Sequence, residues 1–398
     1  MISVAKKIIA LGTSVLSLLL AVPSRAADEP YEIHVILELT GSGAFIGNSE
    51  RQSVELVEKV VNRTGGINGR KLHFVVQDNQ STPQVAVQLA NEVLATHPAV
   101  VLASTLVGDC AAMAPLFKNG PVLYCFTPSF HPPAGGYAYS TDTSTRDLAT
   151  AGMRYFRLRG LTRIAIVTST DATGQDADRN LNDVALFPEN KDRIKIVEDV
   201  HFNPTDVSVT AQMERIKAAD PQVLIAWSTG TPIATVFRAV GEAGLDIPIA
   251  TTAGNAIYRQ MEQFKAFLPR QLYFFTSPWP IGGDPRVKMD PVHAERQREF
   301  YQVFKEAGIR PDQGSLAGWE PVMIVIGGLR KLGLDATGEQ LQAYLQHLKG
   351  FTGVSGYYDY EKTPQRGLSV ENAMVNRWDA AAQRFVPASQ LGGVPLDQ

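Results

Sequence analysis

From residue 31 onward the chain alternates short β-branched, apolar runs with longer stretches whose apolar residues recur every three or four positions. Residues 31–39, 71–77, 100–104 and 122–126 have the length and composition of buried strands. Between them lie three helical patterns: 48–63, with Val54, Val57 and Val61 on one face; 83–95; and about 109–117. Pro83 opens the second of these, where a helix's first turn accepts proline. Strands separated by helices of this length predict right-handed βαβ crossovers and a parallel sheet covered on both faces.

The pattern then restarts. Helices are expected at 145–159, 174–186, 207–219 and 232–243, with strands at 163–168, 194–200, 222–227, 247–251 and 272–275. Two similar α/β sheets are a more economical reading than one open twisted sheet of about ten strands. The Pro- and Gly-rich stretch Ser277–Pro285 reads as a linker, followed by helices at 292–307, 316–332 and 339–348. Residues 353–360 and 372–378 read as a terminal hairpin.

Length and charge narrow the class. At 398 residues two domains are expected, and 37 basic against 40 acidic side chains argue against a basic nucleic-acid binder. The first 26 residues differ from the rest: Lys6 and Lys7 precede an apolar run from Ile8 to Val22, then Ser24-Arg25-Ala26. That order describes a secretory signal peptide cleaved after Ala26, since about 15 apolar residues fall short of the ~20 that span a bilayer. The charge of −3 would become −6 once the three cations of the leader are gone. Two cysteines exclude a disulfide framework and a four-thiolate zinc site. Cys110 and Cys125 each lie near the end of one of two consecutive expected strands, so they are either bridged or two buried thiols, and an oxidising compartment favours the bridge.

Leu39-Thr40-Gly41-Ser42-Gly43-Ala44-Phe45-Ile46-Gly47 follows a strand and opens a helix, which invites a dinucleotide reading. Its spacing is GxGxxxG rather than GxGxxG, and Asp78 stands nearer 35 than the usual ~20 residues further on. No GK[ST] phosphate loop, GxSxG elbow, HExxH or CxxC occurs, and the seven histidines show no metal-ligand spacing. Asp109, Asp171 and Asp176 fall at strand-to-helix loops, where capping explains an acid. A binding protein without cofactor or metal is therefore expected rather than an enzyme.

At Gly65-Gly66-Ile67-Asn68-Gly69-Arg70-Lys71-Leu72 a resemblance emerges. With Leu39-Thr40-Gly41 upstream, the run Asp78–Leu94 downstream, Arg163–Thr168 with the Gly174 turn, Pro221–Trp227 and Gly318-Trp319-Glu320, the chain resembles the periplasmic solute-binding proteins of the branched-chain amino acid (Leu/Ile/Val) type. The glycine turn itself reads as scaffold: Gly65-Gly66 adopt positive φ after a helix, and Asn68-Gly69 reverse the chain into the next strand. The resemblance implies a two-lobed type I periplasmic binding fold, mostly parallel α/β in each lobe. Lobe 1 would comprise 27–145 plus 278–352 and lobe 2 146–277 plus 353–398, with crossings near 142–146, 276–279 and 352–356. It also implies one small-molecule ligand in the cleft, an ABC permease as partner, and a monomer.

Ligands at such sheets bind outside the carboxyl ends of the strands. The expected first-lobe set is Phe45, the loop Ser104 to Gly108 (with Thr105, Val107 and Gly108), and Ser129, Phe130 and His131; Trp319 should face the cleft from the same lobe. The second-lobe set is Thr173, Trp227 to Thr229, and Ala253 to Asn255. Amino-acid binders of the family carry an acid in the loop after the strand at 247–251, whereas this chain reads Thr251-Thr252-Ala253-Gly254-Asn255. A buried ammonium without a countercharge costs several kcal/mol, so an aromatic or apolar carboxylate is expected instead of an α-amino acid. Backbone N–H groups around Val107 and Gly108, with Ser129 and His131, would take the carboxylate, and Phe45, Phe130, Trp227 and Trp319 would enclose the ring. A branched-chain or other amino acid binding protein, or a periplasmic ligand sensor of the same fold, is the alternative, and a hydrolase the remote one. Thiol titration of the denatured protein without reductant should find neither cysteine reactive; two reactive thiols would exclude the bridge.

Overall fold

The two blocks of alternating pattern become two sheets in the computed structural model, which describes residues 29–396. The expected leader and its cleavage after Ala26 lie outside the described residues. In the first sheet, β1 (Tyr31–Leu37), β2 (Leu72–Asp78), β3 (Val100–Ala103), β4 (Val122–Cys125) and β5 (Ala138–Ser140) run parallel in the order β2-β1-β3-β4-β5. Every residue of β3 and β4 is buried, as befits strands covered on both faces by crossover helices. Those helices are α1 (Ala44–Arg63), α2 (Pro83–Leu94) and α3 (Val107–Met113). The turn from α1 into β2 takes the expected form, with Gly65, Gly66, Asn68 and Gly69 all at positive φ. Cys110 on α3 and Cys125 at the end of β4 form a disulfide, their Cα atoms 6.2 Å apart.

The second sheet is built from β6 (Arg163–Ser169), β7 (Lys195–Phe202), β8 (Val223–Trp227), β9 (Ile249–Thr252) and β10 (Leu272–Thr276), again parallel. Its helices are α4 (Thr145–Leu158), α5 (Ala172–Ala185), α6 (Thr210–Ala218), α7 (Ile233–Glu242) and α8 (Tyr258–Gln263). Beyond it come α9 (Pro291–Glu306), α10 (Gln313–Ala317), α11 (Glu320–Leu332) and α12 (Gly338–Gln346). The single helix expected at 316–332 is thus two, broken at Gly318-Trp319.

The C-terminal region departs most from expectation. No hairpin joins 353–360 to 372–378. Instead β11 (Lys349–Thr352) pairs antiparallel with β12 (Tyr357–Asp359), and β13 (Met374–Asp379) pairs with β14 (Arg384–Pro387) while adding to the edge of the second sheet beside β10. Tyr358, Tyr360 and Leu368 pack in the core of the first sheet, whereas Val370 and Ala373 pack with the second. The cause is tyrosine packing. Tyr358 and Tyr360 join Tyr124 and Tyr139 in the core of the first sheet, with ring centroids 5.8–6.1 Å apart and a bond between the Tyr124 and Tyr360 hydroxyls. Burying such rings outweighs the local turn signal on which the hairpin reading rested.

The glycine-rich segment has a packing role. A Cβ on Gly47 would lie 2.2 Å from the Glu38 carbonyl oxygen, and one on Gly43 2.6 Å from the Glu38 side chain, so α1 starts against the end of β1 only because both are glycine. Gly47→Ala should therefore destabilise by roughly 1–3 kcal/mol, since a backbone carbonyl cannot give way. Gly241→Ala in α7, where nothing lies within 4 Å, should instead gain up to about 1 kcal/mol of helix propensity. Urea denaturation of the two variants checks the contrast.

Candidate functional site

Parallel strands end at one edge of each sheet, and in this fold the two edges meet. Thr231 N–H, after β8, donates to the Ser42 carbonyl 3.0 Å away, and Phe45 stands edge-on to Phe264 with centroids 5.7 Å apart. Gly230, at φ +82°, sits where a Cβ would be 2.1 Å from the Ser42 carbonyl, so the loop approaches the opposite lobe as only glycine allows. On the other flank, His131 Nε2 lies 3.0 Å from Asp176 Oδ1. Asp171 caps α5 by accepting the Gly174 N–H (2.9 Å), which sets the first turn of that helix, with Thr173 and Asp176, against the seam.

The structure sorts the twelve expected ligand residues into distinct groups. Phe45, His131 and Thr229 lie in loops that touch across the seam, Thr229 beside Gly230, and Thr173 is in the first turn of α5. Ser129 is buried, its Oγ 3.0 Å from that of Thr145 at the start of α4, so it too bridges the lobes. Thr105, Val107 and Gly108 form the end of β3 and the start of α3, although Val107 packs with Cys110 and Met113 in the outer core. Phe130 joins that same core, and Trp227 is wholly buried beside Phe275 beneath the second sheet. Trp319 is packed between Phe300 and Phe304 of α9, at 5.6 and 5.7 Å. Phe45 has its ring at the seam, and Trp319, only partly buried, packs against the cores of both sheets.

Asn255 is fully occupied. Its Oδ1 accepts from Gly230 N–H (3.0 Å) and Gln260 Nε2 (3.1 Å), and its Nδ2 donates to the Ser228 carbonyl (2.7 Å) and Thr251 Oγ1 (2.9 Å). It therefore shapes the loop at 228–230 rather than offering a free group.

Asp176 places a carboxylate at the seam, where none was expected. It is 4% exposed, and its Oδ2 is buried without a partner while Oδ1 faces His131 from the opposite lobe. Capping was expected of both Asp171 and Asp176; Asp171 caps α5 and Asp176 does not. A position one turn beyond the cap, on the helix face that also buries Thr173 and Asn180, was the signal available.

Two further constellations were not foreseen. At the crossings, Asp142, at φ +67°, accepts from Ser277 Oγ, from Gln313 Nε2 (2.7 Å) and from Thr143 N–H (2.6 Å). Arg366 donates to the carbonyls of Thr141 (3.0 Å), Asp142 (2.9 Å) and Phe130 (2.7 Å). One buried network thus ties the segment 130–142 to the distant Ser277, Gln313 and Arg366. Burial raises the Asp142 carboxyl above its usual range, opposed by Ser277, Thr143 and the Arg366 charge. Under the first lobe, Glu38, Glu50 and Asp109 are buried around Ser104 and Thr105. Among the described residues, Asp178, Asp199 and His201, on α5 and β7, have ligand atoms within 4.8 Å, but Asn182 Nδ2 already bridges the two carboxylates at 3.1 and 2.9 Å.

Comparison with known proteins agrees with this geometry. The family model described as periplasmic binding protein matches residues 30–383. The chain is 21% identical over 366 residues to a Leu/Ile/Val-binding protein homologue of Brucella melitensis, covering 89% of this chain and 93% of that one. Two solved structures share the fold. A solute-binding protein from R. palustris in complex with benzoate has a TM-score of 0.70 at 17% identity, covering 90% and 95%. The branched-chain amino acid transporter substrate-binding protein of Streptococcus pneumoniae, in complex with isoleucine, has a TM-score of 0.72 at 16% identity, covering 90% and 98%.

Removing the cation of the Arg366–Asp142 network would strand three carbonyls and take the countercharge from the buried Asp142 carboxylate. Arg366→Met should cost about 3–5 kcal/mol in chemical denaturation, more than any exposed ion pair on this surface. A loss under 1 kcal/mol would show that the network is not a structural tie.

Proposed function

The chain belongs to the periplasmic binding proteins, and from that premise we propose that it is the solute-binding component of an ABC importer, closing its lobes on a small organic acid. Exported by its leader and released after Ala26, it would act as a monomer and deliver the closed, loaded form to a membrane permease. Hinge closure about three crossings suits that cycle.

The observation that carries this reading is the chemistry of the seam. Hydroxyls from both lobes converge there: Ser129 with Thr145, Thr173, and Thr229 beside Ser228. Thr143 Oγ1 and Ser228 Oγ are buried with no partner. Each hydroxyl has a hydrogen to donate, which suits a carboxylate or another acceptor-rich ligand. The Phe45–Phe264 pair adds an apolar wall, and covering about 120 Å² of a ligand ring there would be worth roughly 3 kcal/mol.

One observation favours a second reading, an amino acid ligand. Asp176 Oδ2, buried and unpartnered, is a ready acceptor for an ammonium group.

A thermal-shift series on the leader-free protein with benzoate, phenylacetate, isoleucine and valine separates the two. The first reading expects stabilisation by the aromatic acids, about 2.7 kcal/mol at 100 times Kd. Stabilisation by isoleucine or valine alone, abolished in Asp176→Asn, would transfer the assignment to the second. Response to neither group, or turnover of a bound compound seen by mass spectrometry, would overturn both.

A further inference from the structure

Counting hydrogens beneath the first lobe leads to a proton requirement. Thr105 Oγ1 touches two groups: the Phe126 carbonyl at 2.9 Å and Glu50 Oε1. A carbonyl only accepts, so the single hydroxyl hydrogen of Thr105 goes to Phe126, and the contact with Glu50 requires the carboxyl to be the donor. Ser104 presents the same problem. Its Oγ lies 2.6 Å from Glu38 Oε2 and 2.9 Å from Asp109 Oδ2, and it already accepts the Leu106 N–H at 3.0 Å. One hydrogen cannot serve two carboxylates, so one of these acids also carries a proton.

Surroundings decide which. Asp109 sits in the first turn of α3 and accepts from Asn79 Nδ2 (2.9 Å) as well as Ser104, both of which favour its charged form. Glu38 is wholly buried, and beyond Ser104 it accepts only from backbone N–H groups, Thr105 at 3.2 Å among them. Burial pushes the Glu38 carboxyl up to about 7, with the Asp109 charge adding to it, and burial pushes Asp109 to about 6. Glu50 is raised well above the usual range by burial, then by Glu38 and Asp312. The titratable groups facing this cluster are Glu38 from the end of β1, Glu50 from α1, Asp109 from α3 and Asp312 from the turn before α10. Among the described residues, no lysine, arginine or histidine hydrogen-bonds or ion-pairs with any of the four. Glu50 adds an independent sign: it is 0% exposed and its Oε2 has no partner, so an ionised Glu50 would be an uncompensated buried charge.

We propose that Glu38 and Glu50 are positioning residues that act in their protonated form, Glu50 holding Thr105 and Glu38 holding Ser104, so that the ligand-side loop 104–108 is in register only while both protons are present. The loop's role as a ligand-contacting segment rests on the function proposed above; its dependence on protons does not. A carboxyl raised in the folded state stabilises that state fully below its unfolded value near 4.5, and the contribution is lost as the pH climbs through the folded value, about 7 for Glu38. Loss of the protons would place like charges together under the loop and release it.

The test needs no ligand, so its failure and failure of the functional reading are separate results. Melting temperature and amide exchange of peptides spanning 100–113 are followed from about pH 5 to pH 8.5, with exchange corrected for its intrinsic pH dependence. The wild type should lose roughly 5–10 °C over that range and open the 104–110 amides toward its upper end. Glu38→Gln/Glu50→Gln, whose amides donate at both positions without ionising, should flatten at least half of that slope and keep the loop protected throughout. Infrared spectra should show protonated-carboxyl absorption at about pH 6 in the wild type that is clearly weaker in the double variant. The single variants Glu50→Gln and Glu38→Gln provide the comparison if the double one does not fold. A wild type with no pH dependence in the loop, a slope unchanged in the Gln variants, or no protonated-carboxyl band would each overturn the proposal.

Discussion

Arg366 brings a buried positive charge to the segment 130–142, and the Asp142 carboxylate beside it holds the distant Ser277 and Gln313. Its guanidinium takes the carbonyls of Thr141, Asp142 and Phe130. A two-lobed molecule needs its crossings to move together, or the strand ends that face each other would lose register. Here a planar cation with several fixed donors provides that, as a lysine ammonium would not. Everything at the seam is referenced to this point: His131 follows Phe130 by one residue, and Thr145 follows Asp142 by three.

The same economy governs the polar interior of the first lobe. Glu38 terminates β1 at the spot where Gly43 and Gly47 let α1 come closest, so the acid is enclosed by the helix that the glycines admit. What a motif scan would compare with a phosphate loop is a device for burying a carboxyl. That carboxyl then meets Ser104 and Thr105, residues of the loop that faces the ligand side. Packing, protonation and the shape of the seam are in this way consequences of one close helix–strand approach.

Much of the architecture was legible in sequence because period and composition are local properties. The parallel strands at 100–104, 122–126 and 222–227 and the helices at 83–95 and 145–159 lie within a residue or two of their observed bounds, since fully apolar runs and a first-turn proline leave little choice. The terminal hairpin failed for the opposite reason: Tyr358 and Tyr360 look like any alternating strand until Tyr124 and Tyr139 exist to receive them. Among candidate ligand residues, Trp227 and Phe130 turn into cores, because an aromatic in or after a strand end can point to either side of the sheet. Nothing in their neighbours along the chain says which. Glu50 did leave a trace, standing on the same helical face as Ile46, Val54 and Val57, where a charge has no place in water-facing logic.

By itself the sequence determined the α/β class and the division into two sheets, which follow from periodicity and turn chemistry within about ten residues; the family likeness came from motifs spread along the chain, and the loops expected at the seam from that resemblance. Only the tertiary structure decided that Trp227 and Phe130 are buried in cores, that Asp176 meets His131 at the seam, and that Tyr358 and Tyr360 stay with the first sheet. Those outcomes depend on burial and on hydrogen bonds between residues more than a hundred positions apart, such as Asp142 with Ser277 and Arg366, and burial by a distant partner cannot be read from either partner alone.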